Sequence, residues 1–295
     1  MKGLSILIPE YNTDCHQLVS DLCRQQGLGR VDGWEVIVID DGSPCTQATA
    51  PNKIISQWPH CQYIELEANI GRAAIRNLLA SKARYDRLIF IDADMAIINR
   101  HFIDRYLDCC APVVYGGYKV MGHHPDNLRY LYERQAEPGH CAARRREHSD
   151  KDFHTSNYCI ERQIAIDHPL DTSYREYGYE DVAYGQHLCQ VGIGIEHIDN
   201  EVGFYDFEPN DHFINKTEEG LRTLYCHRHQ LAGYSRIARW AEVLQQAHVV
   251  RPIAWLSGRL SPYLRRRLGA HPSLWLFSLY KLGYYLRLTA AQQQP

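Results

Sequence analysis

The feature that most constrains this chain is the alternation of short apolar runs and helix-like segments in its first hundred residues. The runs at 4–8, 35–39 and 88–91 lack the alternation of apolar and polar residues that is typical of a strand with one solvent-exposed face. Such runs are typical of parallel strands buried on both faces. Helical spacing occurs between them, at 15–26, 47–58 and 71–83. The pattern predicts an α/β fold: a doubly wound, mostly parallel, Rossmann-like sheet with helices on both faces.

Polar residues follow three of the predicted strands, at the point where each strand ends. The first run leads into Pro9, Tyr11 and Asn12, the second into Asp40 and Asp41, and the last into an Asp-Ala-Asp turn at 92–94. Ligands of doubly wound sheets bind beyond the carboxyl ends of the strands. We therefore expect these side chains to share one site.

The Asp-x-Asp pair, Asp92 and Asp94, is the sharpest local feature. Residues two apart in a strand project to the same face, so both carboxylates can converge on one ligand. Carboxylate oxygens suit Mg²⁺ or Mn²⁺, which take few protein ligands when a substrate phosphate completes the site. The alternative is a pair of exposed loop acids or a helix cap.

Asp40 and Asp41 precede Gly42-Ser43, which is a turn signal, so one of them can act as a cap for the following helix. Two adjacent acids beside the point where the strand order reverses favour a contact with a base or a ribose.

Arg72 and Arg76 share one helix face directly after Gly71, where backbone N–H groups and guanidinium groups favour phosphate. A solvated charged face explains the arginines equally well.

Glu180 and Asp181 follow the aromatic sequence Tyr-Gly-Tyr at 177–179. Aromatic rings beside carboxylates can form a platform for a sugar, while one carboxylate acts as a general base. Capping of the next helix by Asp181 is the alternative.

The remaining body of the chain gives weaker signals. Residues 116–152 are rich in Arg, His and Tyr with little periodicity, which predicts a mobile surface insertion. Within it we expect His123, His124 and the arginines 144–146 on solvated loops. A helix over 182–190, a strand over 193–198 and helical structure over 217–246 are predicted further on.

Charge is distributed unevenly along the sequence. The chain has 35 acidic and 32 basic residues, yet no acid follows Glu242, and seven bases do. The body is therefore strongly acidic, which argues against nucleic acid as its ligand. The tail, residues 251–295, combines these bases with aromatic and apolar residues and is typical of an interfacial helix on an anionic membrane. The alternative is a helix that packs its apolar face on the body.

Other features bear on the compartment. The first strand begins within a few residues of Met1, no apolar run is long enough to span a bilayer, and the ten cysteines form no Cys-x-x-Cys pair. We expect a cytoplasmic protein, with possible peripheral contact to the inner face of the cell membrane.

Taken together, these motifs resemble the family-2 glycosyltransferases, which have the glycosyltransferase A fold. The resemblance spans roughly residues 3–215 and rests on five ordered motifs: IPEYN at 8–12, VIDDGS at 38–43, NIGRAAIRN at 69–77, FIDAD at 90–94 and YGYED at 177–181. It implies a catalytic domain over 1–215 and a helical C-terminal extension over 216–295.

The resemblance also implies roles for the motif residues. Pro9, Tyr11 and Asn12 would line the nucleotide pocket, and Asp40 or Asp41 would hold the base or ribose. Arg76, with Arg72, would face the base-binding acid or the diphosphate, and Gly71 would belong to the nucleotide-sugar site. Asp92 and Asp94 would contact the donor and a Mn²⁺ or Mg²⁺ ion, with Asp94 the firmer metal ligand. Asp181 would be the base, and Glu180 would support the acceptor.

One position departs from the family pattern. Many relatives have a further metal-binding histidine where this sequence has Phe204. His212 or Asp206 is a candidate substitute; without one, the metal would be held more loosely and activity would be weak or absent.

The resemblance implies an inverting, metal-dependent transfer from a nucleotide-diphosphate sugar to a glycan or lipid-linked acceptor, as in polysaccharide biosynthesis. The alternatives are a catalytically silent nucleotide-sugar binder and a sugar-1-phosphate nucleotidyltransferase.

Overall fold

The computed structural model describes residues 3–148, 150 and 152–291, which form two compact units. Unit 1 comprises Met1–Met121, Glu137–Arg175 and Glu180–Asp206. Unit 2 comprises Gly122–Ala136, Glu176–Tyr179 and Phe207–Pro295. The domain boundary predicted after residue 215 lies inside a helix of unit 2 and stays a prediction.

Unit 1 contains the β-strands. In chain order they are β1 Leu4–Glu10, β2 Trp34–Asp40, β3 Cys61–Glu65, β4 Arg87–Ile91, β5 Met95–Ile97, β6 Val113–Tyr115, β7 Tyr118–Val120, β8 Asn157–Glu161, β9 Ile195–His197 and β10 Val202–Phe204.

Helices occur in both units. In chain order they are α1 His16–Cys23, α2 Thr46–Thr49, α3 Arg72–Lys82, α4 Phe102–Leu107, α5 Leu128–Ala136, α6 Ala142–Arg145, α7 Arg162–Asp167, α8 Glu180–Gln190, α9 Asn210–Cys226, α10 Arg236–Gln246, α11 Val250–Ala270 and α12 Leu274–Ala291.

The main sheet has seven strands in the order β3-β2-β1-β4-β8-β6-β9. The four strands from β3 to β4 run parallel, β8 is antiparallel to both of its neighbours, and β6 pairs with β9 in parallel. A second sheet has the order β5-β10-β7. The predicted mostly parallel sheet is confirmed.

Two apolar clusters cover the two faces of the main sheet. Leu4, Ile6 and Ile8 of β1 pack in one cluster with residues of α1 and α4. Leu7 packs in the other with residues of α3 and α8. Successive residues of β1 thus point into opposite clusters. Because each face of the sheet is covered by a layer of helices, residues on both faces are apolar and the strand sequence is continuously apolar.

The segment 116–152 differs from its prediction as a surface insertion. It contains β7, α5 and α6, and Arg145 within it is 2% exposed. The Arg145 guanidinium donates to the backbone oxygens of Ile198 and Gly116 and lies over the Tyr115 ring. A buried guanidinium needs such acceptors, and they come from segments distant in sequence, so local composition could not reveal them. His123 and His124 are exposed, as predicted.

Helices α5, α9, α10, α11 and α12 belong to unit 2. A small core of its own holds Leu128, Phe213, Ile214, Leu268 and Phe277. The single helical segment expected over 217–246 is two helices, because the chain forms turns from His227 to Tyr234 before Ser235 caps α10. In the part of the chain that is described, no helix combines the length and hydropathy needed to cross a bilayer.

Candidate functional site

The candidate site lies at the carboxyl ends of three adjacent parallel strands of unit 1. In the register of the sheet, Glu10 at the end of β1 lies opposite Asp40 at the end of β2. Strand β4 pairs with β1 on its other side and leads directly into Asp92. The fold therefore brings together the strand ends whose polar residues were predicted to share a site.

A buried acidic pair occupies the ends of β1 and β2. Asp40 accepts hydrogen bonds from the Ser43 N–H at 2.8 Å and the Tyr63 hydroxyl at 3.2 Å. Glu10 is 1% exposed and accepts from the Thr13 N–H at 2.6 Å, while its Oε2 has no hydrogen-bond partner. Burial, aided by the nearby charge of Asp40, raises the pKa of Glu10 to about 7. Sequence reasoning missed Glu10, since an acid in an otherwise apolar strand was the only local signal.

Asp41 anchors the loop that leads into α3. Its two oxygens accept the N–H groups of Ile70, at 2.7 Å, and Gly71, at 3.0 Å. Gly71 has φ +92°, which disfavours any residue with a side chain. Burial raises the pKa of Asp41 against the lowering effect of these two N–H donors. Asp41 therefore fixes the start of α3, next to the two predicted arginines.

The two arginines of α3 bridge the remaining predicted acids. Arg76 is 2% exposed; its guanidinium donates to Asp92 Oδ1 and, at 3.0 Å, to the backbone oxygen of Arg72. Arg72 donates to Glu180 Oε1 at 2.6 Å, and its Nη2 lies 3.7 Å from Asp92 Oδ2. Arg76 thus pairs with the first acid of the Asp-x-Asp motif rather than with Asp40 or Asp41. A continuous charged network runs from Asp92 to the start of α8.

Asp181 is the second residue of α8 and pairs with a residue that sequence reasoning missed. Its Oδ2 lies 2.7 Å from His154 Nδ1, and its Oδ1 accepts the Val182 N–H at 2.8 Å. The His154 ring packs edge-on against Tyr115. Burial raises the pKa of Asp181, but His154, the Val182 N–H and the charge of Arg72 together lower it below its usual range. A lone histidine in an irregular segment gave no signal of this pairing.

The loop after β1 is held against the loop after β2. The Asn12 N–H donates to Ser43 Oγ at 2.7 Å, and Asn12 Oδ1 accepts the Cys45 N–H at 3.0 Å. Asn12 adopts φ 54°, a conformation that asparagine tolerates better than most residues. Pro9 is partly buried in β1, and Tyr11 is 47% exposed beside it. The predicted pocket residues therefore flank Asp40 and Asp41.

The residues near Asp94 determine whether a divalent cation could be coordinated there. Asp94 is exposed just beyond β4, whereas the carboxylate of Asp92 is already balanced by Arg76. Across the described residues, no three His, Cys, Asp or Glu side chains lie close enough together to hold a metal. Phe204 is buried in β10, with its ring edge-on to Tyr118. These residues fit a cation whose coordination a diphosphate completes, and not one held by the protein alone.

Solved structures with a similar fold are known. The mannosyltransferase PcManGT from Pyrobaculum calidifontis, in complex with GDP-Man and Mn²⁺, matches with a TM-score of 0.58 and 13% identity, over 98% of this chain and 86% of that one. TarS of Staphylococcus aureus, residues 1–349, matches with a TM-score of 0.50 and 16% identity, over 100% of this chain and 92% of that one. At these identities the match concerns the fold, and the predicted glycosyltransferase A fold is confirmed.

A family model matches part of the sequence. Residues 5–103 match the model of glycosyl transferase family 2, so the predicted resemblance to this family is confirmed. An uncharacterized glycosyltransferase of Haemophilus influenzae is 34% identical over 100 residues, which are 34% of this chain and 39% of that protein. The match thus covers well under half of that relative.

Proposed function

We propose that this protein is an inverting glycosyltransferase that transfers a sugar from a nucleotide-diphosphate donor to a hydroxyl group of a glycan or lipid-linked acceptor. The observation that carries the proposal is the charged network at one edge of the sheet, in which Arg72 contacts both Asp92 and Glu180, the residue before Asp181. The match to family 2 gives this network its chemical context. The GDP-Man bound by the mannosyltransferase neighbour supports a nucleotide sugar as the donor class.

The donor would bind across the ends of β1 and β2. Pro9, Tyr11 and Asn12 would line the pocket, with Asp40 and Asp41 on the base or ribose. Both carboxylates already accept two hydrogen bonds within the protein, so hydrogen bonding does not favour one of them over the other for direct contact. The open backbone at Gly71, where an added Cβ would meet no atom within 4 Å, leaves room for a phosphate beside Arg72.

A divalent cation, Mn²⁺ or Mg²⁺, would be held by Asp94, with Asp92 as a weaker contributor because Arg76 already binds that carboxylate. When bound, such an ion neutralises the negative charge that develops on a diphosphate leaving group. Arg72 is suited to add positive charge at the same place, since its side chain is 44% exposed.

Asp181 would act as the general base. Its carboxylate takes the proton of the acceptor hydroxyl while the hydroxyl oxygen attacks the anomeric carbon. The bond from that carbon to the diphosphate breaks, and its electron pair leaves with the diphosphate. One displacement from one face inverts the anomeric configuration. His154 holds the Asp181 carboxylate through the 2.7 Å contact, and Glu180 positions Arg72. The lowered pKa of Asp181 keeps the base ionised at neutral pH.

A silent nucleotide-sugar binder is the second candidate, because Phe204 is buried where the family resemblance leads one to expect a metal-binding histidine. Such a protein would bind donors without turning them over. A nucleotidyltransferase would instead form a nucleotide sugar from a nucleoside triphosphate.

A cytoplasmic location stays a prediction.

The test is a thermal-shift panel of UDP, GDP, dTDP and CMP sugars, each with and without Mn²⁺, followed by measurement of nucleotide release. We expect one donor class to raise the melting temperature more with Mn²⁺ than without it, and to be hydrolysed slowly. Asp94→Ala should remove the Mn²⁺-dependent part of the shift. Asp32→Ala, which changes another exposed aspartate, should not.

Each outcome has a defined meaning. Donor binding without turnover would favour the silent binder, and turnover of a nucleoside triphosphate with a sugar phosphate would favour the nucleotidyltransferase. No stabilisation by any donor would overturn the proposal, and an unchanged Mn²⁺ effect in Asp94→Ala would exclude Asp94 as a ligand.

A further inference from the structure

Helix α11 of unit 2 has one face that is both apolar and exposed. Trp255 is 63% exposed, Leu256 51%, Leu260 45% and Tyr263 67%. At 100° per residue these four side chains fall within an arc of about 140°. The buried residues Ala254 and Leu268 lie outside that arc, and Leu268 packs in the core of the unit. We call the exposed arc, which also includes Arg259, the α11 outer face.

The α11 outer face is basic as well as apolar. Arg259, Arg266 and Arg267 fall within the same arc and are exposed. The Arg259 guanidinium lies 4.8 Å from the centre of the Trp255 ring, so the cation and the aromatic group form one surface. No acidic residue occurs in the sequence after Glu242. The helix therefore presents no carboxylate that could neutralise these arginines locally.

Neighbouring helices of the unit also expose large apolar side chains. On α10, Trp240 is 58% exposed and Val243 is 53% exposed; on α12, Trp275 is 72% exposed and Leu279 is 45% exposed. Three of the five tryptophans of the chain are thus more than half exposed in this one unit. Burying such side chains in the core would be favourable, so their exposure indicates a surface that is covered by something else.

We propose that the α11 outer face docks on an anionic lipid bilayer, with Trp255 and Tyr263 in the interface and Arg259, Arg266 and Arg267 on the headgroups. Tryptophan and tyrosine are the side chains that favour the boundary between headgroups and acyl chains. Arginines around an apolar stripe add attraction to anionic lipids. The apolar stripe can be buried in the boundary region while the guanidinium groups stay among the phosphates.

A second copy of the chain fits this surface less well. In a two-fold dimer the same patch meets itself, which would bring the three arginines of one copy towards those of the other with no acid on α11 to separate them. A bilayer surface has the opposite charge. The inference is independent of the glycosyltransferase proposal, because it concerns only unit 2.

The experiment is co-sedimentation of the full chain with phosphatidylcholine vesicles and with vesicles in which about a third of the lipid is phosphatidylglycerol. We expect binding to the anionic vesicles to be about 30- to 150-fold tighter, which is the effect of two to three arginines near the surface at about 1 kcal/mol each, and to weaken at high salt. Arg259→Glu with Arg266→Glu should remove this preference. Arg24→Glu with Arg144→Glu, which reverses two arginines whose side chains are 74% and 66% exposed in unit 1, should keep it.

A second pair of variants tests the apolar part. Trp255→Ala with Tyr263→Ala should weaken binding to anionic vesicles by about tenfold or more, since large apolar areas no longer enter the boundary. Ile54→Ala with Val191→Ala, exposed apolar residues of unit 1, should not. Brominated lipid should quench the tryptophan fluorescence of the wild-type chain more than that of Trp255→Phe.

Three results would overturn the proposal. The first is equal binding to neutral and anionic vesicles, or no binding to either. The second is wild-type binding by the variants of α11. The third is a dimer in solution that Trp255→Ala with Tyr263→Ala dissociates, in the absence of vesicle binding, which would assign the face to a second copy.

Discussion

The edge of the sheet in unit 1 and the α11 outer face in unit 2 use charged residues in opposite ways. At the sheet edge, Arg76 is 2% exposed and pairs with Asp92, so the charges hold one another in place. On α11, Arg259 is exposed beside an exposed tryptophan, and no acid follows in the chain. Charge that is internally balanced indicates a preorganised pocket. Charge left unbalanced beside exposed apolar groups indicates a surface for a large anionic partner.

The largest effect is expected from Asp181→Asn at the sheet edge, on the rate of turnover. The substitution keeps the size of the side chain and removes the base, so transfer and donor hydrolysis should fall by about 10²–10⁴-fold. Donor binding, measured by thermal shift, should be unchanged because the pocket residues on β1 and β2 are retained. Release of nucleotide from the donor identified in the panel is the measurement.

Asp167→Asn provides the control for Asp181→Asn, since Asp167 is exposed at the end of α7. Normal turnover in Asp181→Asn would show that another group takes the proton. Loss of donor binding together with turnover would show that the variant disturbs the pocket rather than the chemistry.

The second effect concerns the folding stability of the sheet edge. Arg76→Met leaves Asp92 without its buried partner, which should lower the free energy of unfolding by about 3–5 kcal/mol. Arg144→Met, which removes an exposed arginine paired with the exposed Glu147, should change it little. Chemical denaturation measures both. Equal stability of the two variants would mean that the charges at the sheet edge are not mutually dependent.

How far the site was predictable from sequence depends on whether the signal is local. The strand ends at Asp40 and Asp92 were predictable, because an acid directly after a buried apolar run is visible in the sequence and parallel strands end at one edge. The residues that pair with these acids were harder to predict. That Arg76 reaches Asp92 instead of Asp40 or Asp41 depends on how α3 packs on the sheet, which spacing along the helix does not determine.

The pairing of His154 with Asp181 and the burial of Arg145 illustrate what sequence reasoning cannot supply. Their partners lie 27 residues away for His154 and as many as 53 residues away for Arg145. In unit 2 the basic and aromatic composition of the tail was visible in the sequence. Which aromatic residues remain exposed became clear only from the packing of α11.

A smaller effect is expected from Glu10→Gln at the sheet edge. Because burial raises the pKa of Glu10 from 4.5 to about 7, the protonated form stabilises the fold, and that stability is lost as the pH rises from about 4.5 through 7. The wild-type free energy of unfolding should therefore fall by up to about 3 kcal/mol across this window relative to Glu10→Gln. Denaturation at a series of pH values measures the difference.

Glu67→Gln, at an exposed position, is the matched control and should follow the wild-type pH dependence. If Glu10→Gln and the wild-type chain keep a constant difference from about pH 5 to about pH 8, Glu10 does not change its charge in this range.

The smallest effect on stability is expected from Lys281 in unit 2. Here the free energy of unfolding rises with pH, whereas the contribution of Glu10 falls with pH. Burial lowers the pKa of Lys281 from 10.5 to about 8, with its Nζ 4.5 Å from the centre of the Tyr132 ring and 4.7 Å from that of Phe277. Charging this lysine opposes folding, so the contribution to stability is present above about pH 10.5 and is lost as the pH falls through 8. Lys281→Met should therefore be more stable than the wild-type chain at pH 7, and the two should converge at high pH. The full pKa shift corresponds to about 3 kcal/mol, and screening by solvent at the partly exposed Lys281 reduces the expected difference to about 2 kcal/mol. Lys82→Met, at an exposed position, should show no such convergence. The buried Glu10 of unit 1 and the partly buried Lys281 of unit 2 would then give stability-versus-pH slopes of opposite sign. A wild-type advantage over Lys281→Met at pH 7 would instead show that the two aromatic rings hold the charged form.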